Sequence, residues 1–177
     1  KRLGVAGIGS IGQGVARRAA ALGLHVVGLG RRGRADGSLF KATYTPDRLL
    51  EFCRGLDFLA ITLPLTPETE GLFGAEALAA LNPGALVLNA GRGRVVQEEA
   101  LLGALRGGHL GGAVLDVFAT EPLPPTHPLW REPGVTITPH IAGPSVPVEV
   151  ADYFMQNYAR FTGGAPLTGE IDRTRGY

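Results

Sequence analysis

The sequence alternates short apolar runs with amphipathic stretches, in an order that few folds can satisfy. Six apolar runs are predicted to be β-strands, and helical spacing or turn residues fill the segments between them. Because these runs are near-continuous and not alternating, helices are expected to cover both faces of the sheet. The order predicts a doubly wound α/β domain, a Rossmann fold, with a parallel sheet of six or seven strands. The predicted strands are Leu3–Ala6, His25–Leu29, Asp57–Leu63, Ala85–Leu88, Gly112–Leu115 and Val135–Thr138.

Helices are predicted from apolar spacing and from end signals. The first has Ile11, Val15, Ala19 and Leu22 along one face, which is expected to pack on the sheet. The last has Val150, Phe154, Tyr158 and Phe161 at helical spacing, which predicts a core-facing stripe. The proline-rich stretch Glu121–Pro133 is expected to lack regular structure. The predicted helices are Ile11–Leu22, Pro46–Arg54, a short one near Ala75–Leu81, Glu98–Arg106 and Val148–Phe161.

Length and composition limit the class of protein. A chain of 177 residues predicts one domain over residues 1–177, with a C-terminal helix and tail from residue 145. The net charge of +1 gives no sign of a nucleic-acid partner, and no apolar run is long enough to span a membrane. Cys53 is the only cysteine, so no internal disulfide can form; it is expected to be a buried small side chain, which fits a reducing cytoplasm.

Three glycines between the first strand and the first helix form the pattern G-x-G-x-x-G. Gly7 permits a tight turn, Gly9 lets a pyrophosphate approach the backbone, and Gly12 allows close packing of helix on strand. The helix N-terminus, with Ser10 and Ile11, then faces the phosphate charge. The pattern predicts a dinucleotide site, and the alternative is a tight turn with no ligand.

The end of the second strand bears on which dinucleotide binds. An NAD site usually places an acidic residue there, whereas this strand ends in Gly30, Arg31 and Arg32. Without a carboxylate, nothing repels a 2′-phosphate, and guanidinium groups can pair with it. The sequence therefore favours NADP over NAD; the alternative is a solvated basic loop.

Polar residues also follow the later strands, and parallel strands place their carboxyl ends on one edge of the sheet. Arg92 can hold a carboxylate through two parallel hydrogen bonds. Glu121 and His140 follow two further strands, where a carboxylate beside a histidine favours the charged imidazolium and orients the ring for proton transfer. Taken singly, each of these residues is more often only solvated; their joint placement predicts a catalytic site.

Five stretches resemble the cofactor-binding domain of the D-isomer-specific 2-hydroxyacid dehydrogenases. Residues 7–12 resemble its nucleotide loop, and residues 63–69 resemble a segment beside the cofactor. Residues 89–93 resemble the stretch with the substrate-binding arginine. Residues 115–124 resemble the stretch with a nicotinamide-contacting aspartate and the catalytic glutamate, and residues 138–143 resemble the one with the catalytic histidine.

The resemblance implies an oxidoreductase that reduces a 2-oxo acid to a D-2-hydroxy acid, in the manner of the NADPH-using glyoxylate/hydroxypyruvate reductases. His140, Glu121 and Arg92 are then catalytic, no metal is expected, and the protein is expected to be a cytoplasmic homodimer. The residues expected to bind the cofactor are Gly7, Gly9, Ser10, Ile11, Gly12, Gly30, Arg31, Arg32, Leu63, Pro64, Thr66, Ala90, Gly91, Asp116 and Gly143.

Other functions stay open on the sequence. Members of the family carry a substrate domain, mostly N-terminal to this region, which is expected to be absent from these 177 residues. A nucleotide-sensing interaction protein, like the corepressors that resemble the family, is one alternative. A cofactor-binding domain without activity is another. Formate dehydrogenases are disfavoured because Glu121 stands where they would have glutamine.

Overall fold

A seven-stranded parallel sheet forms the centre of the computed structural model, which describes residues 1–31, 39–143 and 145–173. The strand order is β3-β2-β1-β4-β5-β6-β7. The strands are β1 (Arg2–Ala6), β2 (His25–Leu29), β3 (Ala42–Tyr44), β4 (Phe58–Ile61), β5 (Ala85–Asn89), β6 (Leu110–Leu115) and β7 (Val135–Ile137). The helices are α1 (Ser10–Ala21), α2 (Leu49–Cys53), α3 (Ala75–Ala79), α4 (Glu98–Arg106) and α5 (Pro147–Thr162).

The predicted doubly wound fold is confirmed, and all six expected strands are present. The added strand, β3, has only three residues and pairs with β2 at the sheet edge. Its sequence, Ala-Thr-Tyr, contains no apolar run, so the hydrophobic pattern did not reveal it. The strand order reverses between β1 and β4, which is where a doubly wound sheet opens a crevice for its ligand.

The packing of α1 agrees with the prediction only in part. The helix buries Gly12, Ala16 and Ala19, whereas Ile11 and Leu22 are 64% and 81% exposed. Its small residues face the sheet because α1 approaches β1 too closely for larger side chains. The predicted face is therefore right in its middle, where Ala19 is buried and Val15 packs against the core, and wrong at its two ends.

Helices flank both faces of the sheet, as expected, with α1 on one face and α2, α3 and α4 on the other, although part of the sheet has exposed side chains. Along β5 burial alternates, and Leu86 and Leu88 are 43% and 39% exposed. Val114 on β6 pairs with Leu88 and is 39% exposed. Among the described residues, this part of the sheet is covered fully on one face only, by the core of Phe52, Leu78 and Leu101.

The chain divides into two compact units, residues 1–140 and 141–177. The predicted core stripe of α5 is wrong in this chain, because Val150, Phe154, Tyr158 and Phe161 are all exposed. Within this second unit the tail folds against α5, where the Tyr153 hydroxyl donates to the Thr168 carbonyl at 2.6 Å. The organisation predicted from length, one domain with a helix and tail from residue 145, stays a prediction.

Two smaller expectations have clear outcomes. Cys53 is fully buried, as expected, and burial raises the pKa of its thiol to about 12. The stretch Glu121–Pro133 is not wholly irregular, because Pro128–Arg131 forms a 3-10 turn. His127 accounts for that turn, since its side chain accepts a hydrogen bond from the Leu129 amide. In the described part of the chain, no helix combines the length and apolar character needed to cross a membrane.

Candidate active site

The glycine loop has the shape that a bound diphosphate needs. Gly7 has a φ of +102°, and a Cβ there would lie within 2.9 Å of the Thr62 backbone. Gly9 begins α1 without a side-chain cap, and a Cβ built on it would meet no atom within 4 Å. Ser10 and Ile11 are exposed in the first turn of α1. The backbone amides of this turn can therefore receive a phosphate group.

Thr62, which the sequence did not single out, supports this loop. Its hydroxyl lies 3.0 Å from the Gly7 carbonyl and 3.3 Å from the Ala6 carbonyl. The contact joins the end of β1 to the end of β4 across the point where strand order reverses. A threonine directly after an apolar strand was the only sequence signal for it.

At the end of β2, Gly30 packs against the glycine loop. A Cβ at Gly30 would lie 2.5 Å from the Ile8 side chain, which sits in the glycine loop. Arg31 is exposed, and its charge contributes to lowering the pKa of Glu68, whose main cause is a hydrogen bond from Thr66. The charge of Arg31 is thus felt at Glu68 in the segment after β4. Arg32 lies outside the described residues.

The segments after β4 and β5 are pressed together. A Cβ at Gly91 would lie 2.7 Å from the Leu63 carbonyl oxygen. Pro64 is half-buried, and its carbonyl accepts a 2.7 Å hydrogen bond from the Thr69 hydroxyl. That hydroxyl also accepts one from the amide of buried Thr66 at 2.8 Å. Leu63 and Gly91 are thus in close backbone contact, and the Thr69 hydroxyl links Pro64 to Thr66.

Asn89 shapes the loop that carries Ala90 and Arg92. This side chain is buried; its oxygen accepts from the Gly91 amide and its nitrogen donates to the Arg92 carbonyl, both at 3.1 Å. One guanidinium nitrogen of exposed Arg92 donates to the Gly91 carbonyl at 2.7 Å. A guanidinium has five N–H donors, so others can serve a substrate carboxylate.

Glu121 and His140 are in direct contact. His140 Nδ1 lies 2.7 Å from Glu121 Oε2, and Glu121 Oε1 accepts from the Phe118 amide at 2.9 Å. Burial works to raise the pKa of Glu121, but the Phe118 amide, His140 and Arg92 together lower it below its ordinary value. An ionised carboxylate can only accept, so Nδ1 of His140 carries the shared proton. His140 itself has a φ of 55°, an unusual conformation of the kind that clusters at functional sites.

Asp116 lies beside this pair at the end of β6. It is buried, its backbone amide donates to the Asn89 carbonyl at 3.0 Å, and its carboxylate accepts a hydrogen bond from the Thr138 hydroxyl. Thr138 is the second supporting residue that the sequence did not single out. A threonine directly before the Pro139–His140 pair was its only signal.

Two neighbouring cavities bring the predicted residues together. Arg92, Glu121 and His140 line one of about 330 Å³. Asp116, Glu121 and His140 also line one of about 660 Å³, whose wall is otherwise largely apolar. Gly143 belongs to the second unit of the chain. Among residues 1–31, 39–143 and 145–173, no group of His, Cys, Asp and Glu side chains is arranged to hold a metal ion.

Comparison with known proteins agrees with this geometry. Residues 1–142 match the family described as D-isomer specific 2-hydroxyacid dehydrogenase, NAD binding domain. This chain belongs to that family. The predicted resemblance is therefore confirmed, and it covers the loops that hold the glycines, Arg92, Glu121 and His140.

Relatives and solved structures refine the comparison. The chain is 41% identical over 175 residues to glyoxylate/hydroxypyruvate reductase A of Salmonella heidelberg, which covers 99% of this chain and 56% of that protein. A 2-hydroxyacid dehydrogenase from Xanthobacter autotrophicus, solved with NADPH and MES, superposes with a TM-score of 0.92 at 40% identity and covers 99% of this chain and 72% of that one. An NADPH-dependent glyoxylate/hydroxypyruvate reductase from Sinorhizobium meliloti, solved with NADP and sulfate, superposes with a TM-score of 0.92 at 39% identity. The superposition covers 99% of this chain and 57% of that one. The chain thus spans little more than half the length of the curated relatives it matches.

Proposed function

We propose that this chain supplies the dinucleotide site and the proton-transfer groups of an NADPH-dependent reductase of small 2-oxo acids, glyoxylate or hydroxypyruvate in type. The product is the D-2-hydroxy acid wherever the new hydroxyl-bearing carbon is chiral, as it is from hydroxypyruvate but not from glyoxylate. The observation that carries the proposal is the meeting of Arg92, Glu121 and His140 at one cavity. The glycine loop follows β1 at the same edge of the parallel sheet as the loops that carry these three residues. The names of the relatives supply the substrate class and the product's hand.

The protein groups divide the work by their charge. Arg92 pairs with the substrate carboxylate, because its charge is permanent and its donors are planar. Glu121 fixes the Nδ1–H tautomer of His140, so Nε2 of the imidazolium presents the proton to the carbonyl oxygen. The nicotinamide, when bound, supplies the hydride that reduces the carbonyl carbon. His140 neutralises the charge that develops on oxygen, and the hydroxyl of the product keeps its proton.

The nucleotide preference follows from the end of β2. Gly30 places no carboxylate there, and Arg31 offers a cation near the segment after β4. Both features favour a nucleotide with a 2′-phosphate. The solved relatives that contain NADPH or NADP support the same choice. NAD is the second choice, to be compared directly.

The test measures reduction of glyoxylate and hydroxypyruvate by the complete protein that carries this chain. We expect NADPH oxidation that His140→Ala slows by about 10²–10⁴ while nucleotide binding changes little. His25→Ala is the control, since His25 is an exposed histidine at the start of β2. An active His140→Ala variant would contradict the mechanism.

Binding and product analysis complete the test. Nucleotide binding without turnover of any 2-oxo acid would favour the nucleotide-sensing alternative. An L-hydroxy product from hydroxypyruvate, whose reduction creates a chiral carbon, would contradict the D configuration that the family name supplies. A homodimer and a cytoplasmic location are further parts of the proposal. Sedimentation of the complete protein tests the first, and fractionation of its host cells tests the second.

A further inference from the structure

A second carboxylate lies behind the Glu121–His140 pair. Glu98 opens α4, and its Oε1 accepts from the Ala119 amide at 2.8 Å. Glu121 accepts from the preceding amide, that of Phe118, at 2.9 Å. Two carboxylates, Glu98 on α4 and Glu121 in the loop itself, therefore accept from two successive amides of this loop, and Glu121 contacts His140.

Glu98 also reaches the far end of this loop. Its Oε2 lies 3.5 Å from His127 Nε2. Nδ1 of His127 accepts from the Leu129 amide, so the ring proton of neutral His127 lies on Nε2 and faces Glu98. The Glu98 and His127 side chains are each less than one fifth exposed. Glu98 thus fixes the loop both before and after Glu121.

The support behind Glu98 is rigid. Leu101, Leu102 and Leu105 anchor α4 in the core. Gly93 backs the same loop, since a Cβ there would lie 1.9 Å from the Phe118 carbonyl carbon and 2.5 Å from the Ala119 nitrogen. The loop is therefore held between the Gly93 backbone and the two carboxylates, with little room to shift.

We infer that Glu98 is a positioning residue for the reaction: by holding the Ala119 amide and His127, it keeps the Phe118 amide on Glu121 and Glu121 on His140. This inference rests on the proposed function for its kinetic consequence. Its structural part is that Glu98 holds the Phe118 amide in place through the neighbouring Ala119 amide. That part depends only on the two hydrogen bonds and not on the proposed function. Orientation of a reacting group by a residue behind it commonly affects activity by 10- to 100-fold, a range known from metal sites.

The experiment compares Glu98→Ala with Glu99→Ala in the complete protein. Glu99 is the matched control, because it is an exposed glutamate in the same first helical turn. We expect Glu98→Ala to lower kcat by about tenfold with NADPH affinity unchanged. Hydrogen exchange should become faster at the Phe118 amide as well as at Ala119. The acidic limb of the kcat/KM profile should move to higher pH, because Glu121 loses the amide that lowers its pKa.

The outcomes separate the positioning role from the proposed function. A wild type that reduces no 2-oxo acid refutes the proposed function, and the Phe118 amide then decides the positioning role alone. If that amide exchanges as slowly in Glu98→Ala as in Glu99→Ala, or if kcat is the same in both, the inference is overturned. Should Glu98→Ala fail to fold, Glu98→Gln is compared with Glu99→Gln. It keeps an acceptor for Ala119 and is expected to lose about threefold in kcat, and equal rates would overturn the inference.

Discussion

Replacing Gly12 by alanine should push the start of α1 away from the turn at Gly7. A Cβ at residue 12 would lie 1.7 Å from the Gly7 carbonyl oxygen and 2.9 Å from the Gly7 carbonyl carbon. Ordinary van der Waals contact begins near 3.4 Å, so these groups must move apart by about 1.7 Å. Both are backbone, and no side-chain rotation can relieve the contact.

Two consequences follow, and they can be measured separately. Overpacking of a tightly packed site typically costs about 1–3 kcal/mol. The free energy of unfolding should therefore fall by about this amount or more. The displaced helix N-terminus also carries its amides away from the phosphate position, so NADPH affinity should fall by about tenfold or more. Urea unfolding gives the first quantity and calorimetric titration with NADPH gives the second.

Gly14→Ala is the matched control for this change. Gly14 lies two residues after Gly12 in α1. A Cβ at Gly14 would meet only the Arg18 guanidinium, at 3.5 Å, which is an ordinary van der Waals contact. Alanine is a better helix former than glycine by about 1 kcal/mol, so this variant should be as stable as the wild type or more stable. A Gly12→Ala protein with unchanged stability and unchanged NADPH affinity would refute the close-packing argument.

Three further substitutions test other parts of the site. Arg31→Ala should weaken NADPH binding by about 10-fold and leave NADH binding unchanged; equal losses for both nucleotides would contradict a role at the 2′-phosphate. Thr138→Val removes a donor from buried Asp116 and should lower the free energy of unfolding in urea by about 1–3 kcal/mol; an unchanged free energy of unfolding would contradict a supporting role for this hydrogen bond. The lowered pKa of Glu121 means that it adds stability above the ordinary carboxyl pKa of 4.5, and that this stability is lost as pH falls through the lowered value. Unfolding of Glu121→Gln should therefore depend less on pH in this acid range, and an unchanged dependence would show that the pair adds no stability.

The sequence predicted the fold well because the fold depends on a local signal. Apolar runs alternating with helical segments are visible without any knowledge of contacts, and they gave six of the seven strands. The sequence pattern was a poor guide to burial, because burial depends on which other element packs against a given face of a strand or helix. Leu86 and Leu88 look like the rest of a doubly covered strand, yet they alternate with buried neighbours. Phe154 and Tyr158 have helical spacing but are exposed in this chain.

The site residues that touch ligands were predictable, whereas those that hold them in place were not. His140, Glu121 and Arg92 are residue types with distinctive chemistry at strand ends, so their convergence could be inferred from topology. Thr62 and Glu98 act through a backbone carbonyl and a backbone amide that are distant in sequence. No pattern of residue types records such a bond, because a threonine or glutamate in a loop or first helical turn has ordinary local uses.

Backbone contacts explain how motifs far apart in the sequence form one crevice. Gly7 is pressed against Thr62, and the backbone of Gly91 is pressed against Leu63, so the ends of β1, β4 and β5 are joined in turn. Gly93 against Phe118 joins β5 to β6, and the hydrogen bond from Thr138 to Asp116 joins β6 to β7. Each of these contacts between neighbouring strand ends depends either on a glycine, which has no side chain, or on one hydrogen bond. A single Cβ at residue 91 or 93 would therefore push apart two neighbouring strand ends, and it should disturb the Glu121–His140 geometry as much as a change to the pair itself.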